Sequence, residues 1–253
     1  MIIDGKKIAG EILSSLHGAY SLGVVMNMSS AASDSFVKMK ERAAAHVGVT
    51  LVRFEAQDIE EALRCDGVLV QLPIENAEEL LKKIPPHKDV DALGEHPLVL
   101  SPVAGAIQEV LNRAGVDIPG KKAVVVGAGR LVGKPAAELL QKLGAKVSIV
   151  SLESGSLEEL KDADIVVSGA GSAGIIEPHM LKEGVVLIDA GTSEQAGKVV
   201  GDADPACSEI ASVFTPVPGG IGPIAVAMLF KNLFTLAQKI PPVVSGESLR
   251  SGQ

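Results

Sequence analysis

Eleven residues near the end of the chain, 213–223, constrain its fold more than any other stretch. They read Val-Phe-Thr-Pro-Val-Pro-Gly-Gly-Ile-Gly-Pro, with three prolines and three glycines. Proline fixes φ and removes a backbone donor, whereas glycine reaches dihedral angles that other residues avoid. The segment therefore predicts a rigid loop, neither helix nor ordinary strand, between an apolar strand at 211–214 and an apolar helix from Ile224. Such a loop is typical of binding elements, because its bare backbone can approach a flat ligand closely.

Short apolar strands alternate with helical patterns along the rest of the chain. Strands are predicted at 23–28, 50–54, 67–71, 122–126, 146–150, 164–168 and 185–189. Helices are predicted between most of them, and the helix at 34–46 has Ser33 or Asp34 as its predicted N-cap. Aromatic residues make up only 2% of the chain, so the core must consist of aliphatic side chains, which favours parallel strands.

This alternation predicts an α/β fold with two domains. We expect the first domain at residues 1–103, completed by a C-terminal helix at 224–242. The second, at 104–223, is a Rossmann-type parallel-sheet domain, and residues 243–253 form a polar, flexible tail.

Charge and composition argue against several classes of function. A net charge of −8 provides no basic surface for nucleic acid or an anionic membrane. Cys65 and Cys207 fit no metal-binding spacing, and we expect two buried, reduced thiols and no metal site. The N-terminus lacks the apolar core of a signal peptide, and the apolar run 221–230 is about half a membrane span.

A glycine turn between a predicted strand and a predicted helix indicates a dinucleotide site. Residues 124–135 read Val-Val-Val-Gly-Ala-Gly-Arg-Leu-Val-Gly-Lys-Pro, so the glycines are Gly127, Gly129 and Gly133. Their spacing, G-x-G-x-x-x-G, is one residue longer than the usual fingerprint, but the arrangement brings a helix N-terminus to a pyrophosphate. Glu153 follows the next strand, where a carboxylate suits a ribose 2′-hydroxyl; the alternative is a solvated loop carboxylate.

Four blocks of sequence, in order, resemble the bifunctional methylenetetrahydrofolate dehydrogenase/cyclohydrolase (FolD) family. Asp66–Pro73 is similar to the family's D-G-I-L-V-Q-L-P, and Lys88–Asp91 to its K-D-V-D. Val126–Pro135 is similar to V-G-x-x-x-x-V-G-x-P, and Thr215–Pro223 is identical to T-P-V-P-G-G-[VI]-G-P. Asp4-Gly5-Lys6 and Gly201-Asp202 add weaker support, and the resemblance covers about residues 1–240.

The resemblance implies an N-terminal α/β catalytic domain and a Rossmann-type NAD(P) domain, with a folate cleft between them. It implies hydride transfer from 5,10-methylenetetrahydrofolate to NAD or NADP, followed by hydrolysis of the methenyl product to 10-formyltetrahydrofolate. It also implies a homodimer with a folate substrate, which serves one-carbon metabolism and purine biosynthesis. We expect a cytoplasmic protein with neither a nucleic-acid nor a membrane partner, in keeping with its charge.

Three catalytic residues are carried over from the family's motifs. Lys40 corresponds to the lysine of Y-x-x-x-K, Gln71 is its partner, and Asp91 holds the pterin. A lysine ammonium becomes a base at neutral pH only if its pKa falls, as a desolvated cleft beside a cationic folate would cause. On the residues alone, Lys40 could equally be a surface lysine, Gln71 a strand-end amide facing solvent, and Asp91 a turn aspartate.

The resemblance also implies the binding residues. Those expected to contact folate are Ser33, Phe36, Leu72, Pro73, Pro218, Gly219, Gly220 and Pro223. Those expected to contact the dinucleotide are Gly127, Ala128, Gly129, Arg130, Val132, Gly133, Ser151, Glu153, Ala170, Gly171 and Thr215.

The chain departs from the family pattern at several points. Phe36 stands where the family has tyrosine, so a hydroxyl is lost, which bears most on the hydrolase step. Ala128-Gly129 replaces the family's frequent Arg-Ser, and Glu153 its frequent basic residue. These two changes remove groups that grip a 2′-phosphate and favour NAD, although Arg130 could swing toward that phosphate.

Three alternatives remain open from the sequence. One is a dehydrogenase without the hydrolase activity, on account of Phe36. Another is a non-catalytic relative that binds folate and nucleotide, because the loop at 27–35 matches the family poorly. The third is an unrelated Rossmann enzyme such as an amino-acid dehydrogenase.

Overall fold

The fold was analysed in a computed structural model that describes residues 1–28, 31–152, 156–195 and 197–238, without the side chains of residues 31–36. In order, the helices are α1 (Gly5–Ser14), α2 (Ala31–Val47), α3 (Ile59–Ala62), α4 (Ala77–Lys83), α5 (Pro102–Arg113), α6 (Gly133–Lys142) and α7 (Ile221–Gln238). The strands are β1 (Ser21–Val25), β2 (Thr50–Phe54), β3 (Gly67–Val70), β4 (Lys122–Val126), β5 (Lys146–Val150), β6 (Ile165–Ser168), β7 (Val186–Asp189), β8 (Ser193–Gln195), β9 (Lys198–Val200) and β10 (Val213–Thr215).

The first sheet is parallel, has the order β2-β1-β3, and is covered on both faces. Leu22, Val24 and Leu69 pack with α2 and α7 on one face. Val25 and Val68 pack with α3 and α4 on the other. Successive side chains of a strand point to opposite faces, so strands buried on both sides read as continuous apolar runs.

The second sheet is also parallel, with the order β10-β7-β6-β4-β5. One face packs on α5 and α6 and on the apolar side of α7. The other face packs on shorter segments that include Leu160, Ile176 and Cys207. This is a doubly wound arrangement, and its strand order reverses between β4 and β6. The prediction of an α/β fold with a Rossmann-type parallel sheet is confirmed.

Three helices, α1, α5 and α7, lie together between the two sheets. The predicted domain boundary between residues 103 and 104 falls inside α5. The chain therefore passes from the first predicted domain to the second within a helix. The chain's first residues also reach that sheet, because the Ile3 N–H donates to the Phe214 carbonyl oxygen (2.9 Å) and the Phe214 N–H to that of Met1 (2.9 Å).

Among the described residues, α7 is the one helix long and apolar enough to span a membrane by length and composition. Half of it is buried inside the fold, where it packs on α1, α2, α5 and β3. It extends eight residues beyond the apolar run at 221–230. Its buried residues pack inside the fold, as those of a core helix do.

Two local predictions were wrong. The segment 213–223 is not wholly a loop, because Val213–Thr215 is a strand and α7 begins at Ile221. Proline is tolerated in the first turn of a helix, where its missing N–H has no intrahelical partner, and Pro223 lies there. Ser33 and Asp34 are not the N-cap of α2, which begins at Ala31. Residues 239–253, which contain the predicted tail, lie outside the described residues.

Candidate functional site

The predicted site residues follow the carboxyl ends of parallel strands in both sheets. In the first sheet the strand order reverses at β1 and β3, and Gln71 directly follows β3. In the second it reverses at β4 and β6, which are followed by Gly127 and Gly169. Ligands of open α/β sheets bind in the crevice outside such a switch point.

Lys40 and Gln71 form the central contact at the edge of the first sheet. Lys40 lies on α2, which follows β1, and its Nζ donates to Gln71 Oε1 (2.5 Å). Gln71 is held in turn, because its Nε2 donates to the Leu72 carbonyl oxygen (3.1 Å) and its backbone N–H to that of Val25 (2.8 Å). The amide is therefore oriented with its oxygen toward the lysine.

Asp91 is brought beside this pair by a backbone segment that runs along β3. The Val68 N–H donates to the Lys88 carbonyl oxygen (2.7 Å), and Val68 and Asp89 form a parallel bridge. Lys88 anchors the segment by donating Nζ to the carbonyl oxygens of Leu63 (2.7 Å) and Cys65 (2.9 Å). A buried Asp89 accepts the Gly94 N–H (2.7 Å) and closes the turn that follows Asp91.

The cleft shifts the protonation of its two charged groups in opposite directions. Burial lowers the pKa of Lys40, and the nearby Asp91 carboxylate only partly opposes this effect. Burial raises the pKa of Asp91 to about 6, against the attraction of Lys40 and with a small contribution from Asp89. A lysine amine with a lowered pKa beside an oriented amide is suited to accept a proton.

Asn232 on α7 fixes this arrangement from behind. Its side chain is buried, and its Nδ2 donates to the carbonyl oxygens of Val90 (2.9 Å) and Leu100 (2.9 Å). The residue before Asp91 is thereby tied to the C-terminal helix. Sequence reasoning missed Asn232, although an amide in the middle of an apolar helix is a signal that could have found it.

The glycine loop after β4 is shaped for a ligand backbone. A Cβ on Gly133 would lie 2.0 Å from the Gly127 carbonyl oxygen, so only glycine allows the loop to close onto α6. A Cβ on Gly129 would meet nothing within 4 Å, so that side of the loop is open. No side chain caps the start of α6; in its first turn the Lys134 N–H donates to the Gly129 carbonyl oxygen (3.0 Å) and Pro135 has no N–H, which leaves the Gly133 N–H for a ligand.

A second loop faces the glycine loop and is held by a buried aspartate. Asp202 is fully buried, and it accepts the Ser168 hydroxyl (2.6 Å) and the backbone N–H groups of Ala170 (2.8 Å), Gly171 (3.3 Å) and Ser172 (2.7 Å). The two loops meet closely, since a Cβ on Gly127 would lie 3.1 Å from the Ala170 Cα.

Thr215 does not have the role expected for it. Its side chain is fully buried, and its hydroxyl accepts the Asp189 N–H (2.7 Å) and donates to the Asp189 carbonyl oxygen (3.1 Å). The hydroxyl thus joins β10 to β7 and is not available to a dinucleotide. The Asp189 carboxylate, which sequence reasoning missed, accepts the N–H groups of Gly191 (3.0 Å) and Ala203 (2.9 Å), and burial raises its pKa to about 6.

The segment 216–220 is fixed by the start of the chain. The Gly5 N–H donates to the Gly219 carbonyl oxygen (2.9 Å), and the Gly220 N–H donates to that of Pro216 (2.7 Å). A Cβ on Gly5 would lie 1.9 Å from the Gly220 carbonyl oxygen, so the N-terminus of α1 packs directly on this turn. Pro218 remains exposed, and Gly219 and Pro223 are partly exposed.

Several other predicted residues lie near these groups. Leu72 and Pro73 follow Gln71 and are accessible, as are Ala128 and Val132 in the glycine loop. Ser151 follows β5 and is partly buried. The side chains of Ser33 and Phe36, and all of Glu153, lie outside the described residues.

Arg130, the residue that could swing toward a 2′-phosphate, contacts the other domain. Its Nη2 forms an ion pair with Glu78 Oε1 on α4. The sequence pattern does not predict this pair, because the two residues are 52 positions apart. Arg130 follows a strand of the second sheet, whereas Glu78 lies on a helix that packs on the first.

The two free cysteines are buried, as predicted. Burial raises the pKa of the Cys207 thiol to about 11 and also raises that of Cys65. Both thiols are therefore protonated near neutral pH and are poor nucleophiles. Within the described ranges, no group of three or more His, Cys, Asp or Glu side chains could hold a metal ion.

This chain is therefore an α/β protein with two parallel sheets. A dinucleotide-type glycine loop follows a strand of one sheet, and a lysine–amide–carboxylate cluster lies at the edge of the other. Residues 101–240 match the family model for the NAD(P)-binding domain of tetrahydrofolate dehydrogenase/cyclohydrolase. The chain is 38% identical to the bifunctional protein FolD of Halothermothrix orenii, over 91% of this chain and 95% of that protein. It is 34% identical to FolD of Staphylococcus aureus, over 94% and 96% of the two chains.

A solved structure is similar across the same length. The methylenetetrahydrofolate dehydrogenase-cyclohydrolase (FolD) of Trypanosoma brucei, in complex with NADP and an inhibitor, superposes with a TM-score of 0.85. It is 29% identical in sequence, and the match covers 94% of this chain and 97% of that one. The chain belongs to the tetrahydrofolate dehydrogenase/cyclohydrolase family, as the sequence blocks indicated.

Proposed function

We propose that this protein catalyses two consecutive steps of one-carbon folate metabolism. It oxidises 5,10-methylenetetrahydrofolate to the 5,10-methenyl form with a nicotinamide dinucleotide, and then hydrolyses that product to 10-formyltetrahydrofolate. The names of its relatives support both activities. The observation that carries the proposal is the contact between Lys40 and Gln71, with Asp91 close enough to act on the lysine's pKa.

In the proposed hydrolase step, Lys40 is the base. Water bonds to the methenyl carbon, one of its protons passes to the Lys40 amine, and the bond from this carbon to N5 breaks as the remaining hydroxyl proton is transferred to N5, which leaves a formyl group on N10. The lowered pKa of Lys40 raises the fraction of the amine that is unprotonated at neutral pH. Gln71 orients the amine without adding charge, which would otherwise raise that pKa again.

Asp91 is proposed to bind the pterin. An ionised carboxylate accepts hydrogen bonds from the 2-amino group and N3–H of the ring in a paired geometry. The expected folate contacts Ser33, Phe36, Leu72, Pro73, Pro218, Gly219, Gly220 and Pro223 would complete the cleft. Those of them that the structure describes follow the carboxyl ends of β3 and β10.

The residues present fit a dinucleotide. The open side of Gly129 and the uncapped start of α6 suit a pyrophosphate, and Asp202 holds Ala170 and Gly171 opposite. When bound, the nicotinamide accepts the hydride that folate gives up. The protein's own contribution is to bind the dinucleotide between the two loops and to orient it toward the cleft.

We further propose that NAD is the preferred dinucleotide. The residues after Gly127 are Ala128 and Gly129, which have no group to hold a 2′-phosphate, and Arg130 is paired with Glu78. Glu153 would accept a ribose 2′-hydroxyl and repel a phosphate at the same position.

Initial rates of nicotinamide reduction test both proposals. Purified protein is mixed with 5,10-methylenetetrahydrofolate and either NAD or NADP, and kcat/KM is compared. We expect reduction with both dinucleotides and a higher kcat/KM for NAD. A clear advantage for NADP contradicts the preference alone, whereas no reduction with either contradicts the dehydrogenase function.

We also propose a cytoplasmic homodimer that supplies one-carbon units, including those for purine biosynthesis. The family resemblance supports this assignment. Two exposed apolar residues are in keeping with a partner: Ile149 on β5, an edge strand of the second sheet, is 46% exposed, and Val199 on β9, in the separate two-stranded sheet β8-β9, is 51% exposed. Sedimentation equilibrium should give twice the chain mass of 26.0 kDa, and a monomer at micromolar concentration contradicts the dimer.

A further inference from the structure

One ion pair joins the glycine loop to the opposite domain. Arg130 projects from the loop, and Glu78 lies in the first turn of α4, shortly after the Leu72–Pro73 segment. The Arg130 side chain is 41% exposed and that of Glu78 is 66% exposed. Both groups therefore stay accessible to water, so a ligand phosphate could compete for the arginine.

Arg130 is the cation that a 2′-phosphate would need. Within the loop 127–133, Gly-Ala-Gly-Arg-Leu-Val-Gly, it is the one charged residue. Arginine presents a planar fork of donors that matches a phosphate in two parallel hydrogen bonds. This loop can strengthen the binding of a dinucleotide with a 2′-phosphate mainly if Arg130 turns toward that phosphate.

We propose that Glu78 is a specificity-determining residue, which holds Arg130 away from the 2′-phosphate and so favours NAD over NADP. The inference rests on the proposed function. It assigns part of the nucleotide selectivity to the folate-side domain, outside the loop that binds the nucleotide. Glu78 acts in two ways: it occupies the guanidinium, and it places a carboxylate where an approaching phosphate is repelled.

The size of the effect follows from the exposure of the pair. A partly exposed ion pair has a small interaction energy, because water and salt screen it. We therefore expect the loss of this pair to change the affinity for NADP about three- to tenfold. The effect should shrink at high salt, where both the pair and the repulsion are screened.

A pair of matched variants tests the proposal by binding as well as by activity. Glu78→Gln removes the charge and keeps the side-chain shape, while Glu79→Gln makes the same change at the next position of α4, where the carboxylate is also exposed. NAD and NADP, which differ only in the 2′-phosphate, are titrated into each full-length protein by calorimetry. Thermal unfolding of both variants checks that they are folded.

We expect Glu78→Gln to tighten NADP binding about three- to tenfold and to leave NAD within about twofold. Glu79→Gln should leave both unchanged, and the double variant Glu78→Gln/Arg130→Gln should lose the gain. The kcat/KM for NADP should follow its affinity.

Three results would overturn the proposal. Equal changes for NAD and NADP would mean that the pair merely holds the two domains together. A gain that persists in the double variant would mean that Arg130 is not the group released. Unchanged binding of both nucleotides by Glu78→Gln would remove Glu78 from specificity while leaving the proposed enzyme intact, whereas a wild-type protein that binds neither nucleotide would contradict the proposed function itself.

Discussion

The chemistry proposed for the cleft depends on the protonation of two side chains, Lys40 and Asp91. The fold desolvates both, so each is shifted toward its neutral form. Shifts of this kind are concentrated at functional sites because catalytic groups need pKa values near the working pH. The two residues have distinct roles, and two experiments separate them.

Replacing Lys40 by methionine should abolish hydrolysis more than oxidation. Methionine keeps the length of the side chain but accepts no proton, so hydrolysis of supplied 5,10-methenyltetrahydrofolate should fall at least about a hundredfold. Lys38→Met, an exposed position on the same helix, is the control and should stay within about twofold of wild type. Equal losses in the two variants would mean that Lys40 is no base.

The affinity for folate should depend on pH through Asp91. Its pKa is raised to about 6, so the carboxylate becomes protonated below that pH and loses its charge-assisted bonds to the pterin. The KM for folate should therefore rise as pH falls below about 6, while the KM for the dinucleotide stays level. In Asp91→Asn the folate KM should be high and flat across this range; a variant that keeps the wild-type profile would assign the titration to another group.

At the scale of elements, the site is made by turns that follow strands, and these turns tolerate little change. Gly133 has no room for a Cβ beside the Gly127 carbonyl oxygen, whereas Gly129 has open space. A substitution at Gly133 therefore tests the shape of the loop, and a substitution at Gly129 tests its contact with a ligand.

Alanine at these two positions should give opposite patterns. Gly133→Ala forces the loop off α6, so it should lower the free energy of unfolding by about 1–3 kcal/mol and weaken dinucleotide binding about tenfold or more. Gly129→Ala should leave urea unfolding unchanged but weaken dinucleotide binding, since its Cβ would meet the ligand. If Gly129→Ala binds NAD normally, the pyrophosphate does not cross this side of the loop.

The sequence predicted elements well where the signal is local. The bounds of β2, β4 and β5 agree with the predicted strands, because each is a run of mostly aliphatic or β-branched residues with turn or polar residues at its ends. Local signals failed at Ile221, where tertiary packing starts α7 inside a glycine- and proline-rich stretch.

The candidate site was predictable in part for the same reason. Lys40, Gln71 and Asp91 were found through motifs, and the structure brings them together. Asn232, Asp202 and Glu78 act through partners far away in the chain, so no local pattern defines their roles. Thr215 lies within the most specific motif, yet it is buried and joins two strands. A sequence motif does not show whether a residue has such a structural role or contacts a ligand.

For the whole molecule, the central feature is that the two sheets share one helical layer. A single cluster of buried residues joins Ile8 of α1, Ile107 of α5 and Ile224 of α7 to the strands of the second sheet. The same α7 reaches the first sheet through residues such as Phe230 and Leu233. Domains linked by a continuous apolar core tend to unfold together, unlike domains joined by a linker.

Two spectroscopic probes should accordingly report one transition. The chain has a single Tyr and no Trp, and Tyr20 packs edge-on against Phe234 with ring centroids 4.9 Å apart. Tyrosine fluorescence thus reports the contact between α7 and the first domain, while far-UV circular dichroism reports both domains. Urea midpoints should coincide; separated midpoints would mean that the domains unfold independently.

The time course of the methenyl-folate absorbance band shows directly whether this protein carries out both proposed steps. Purified protein receives 5,10-methylenetetrahydrofolate and NAD, and spectra are resolved into methenyl-folate and reduced nicotinamide. We predict that the methenyl band rises and then decays faster than in buffer, because Lys40 completes the second step with Phe36 in place of the family's tyrosine. A band that rises and persists would leave a dehydrogenase alone, and a band that never rises with either NAD or NADP would contradict the catalytic account.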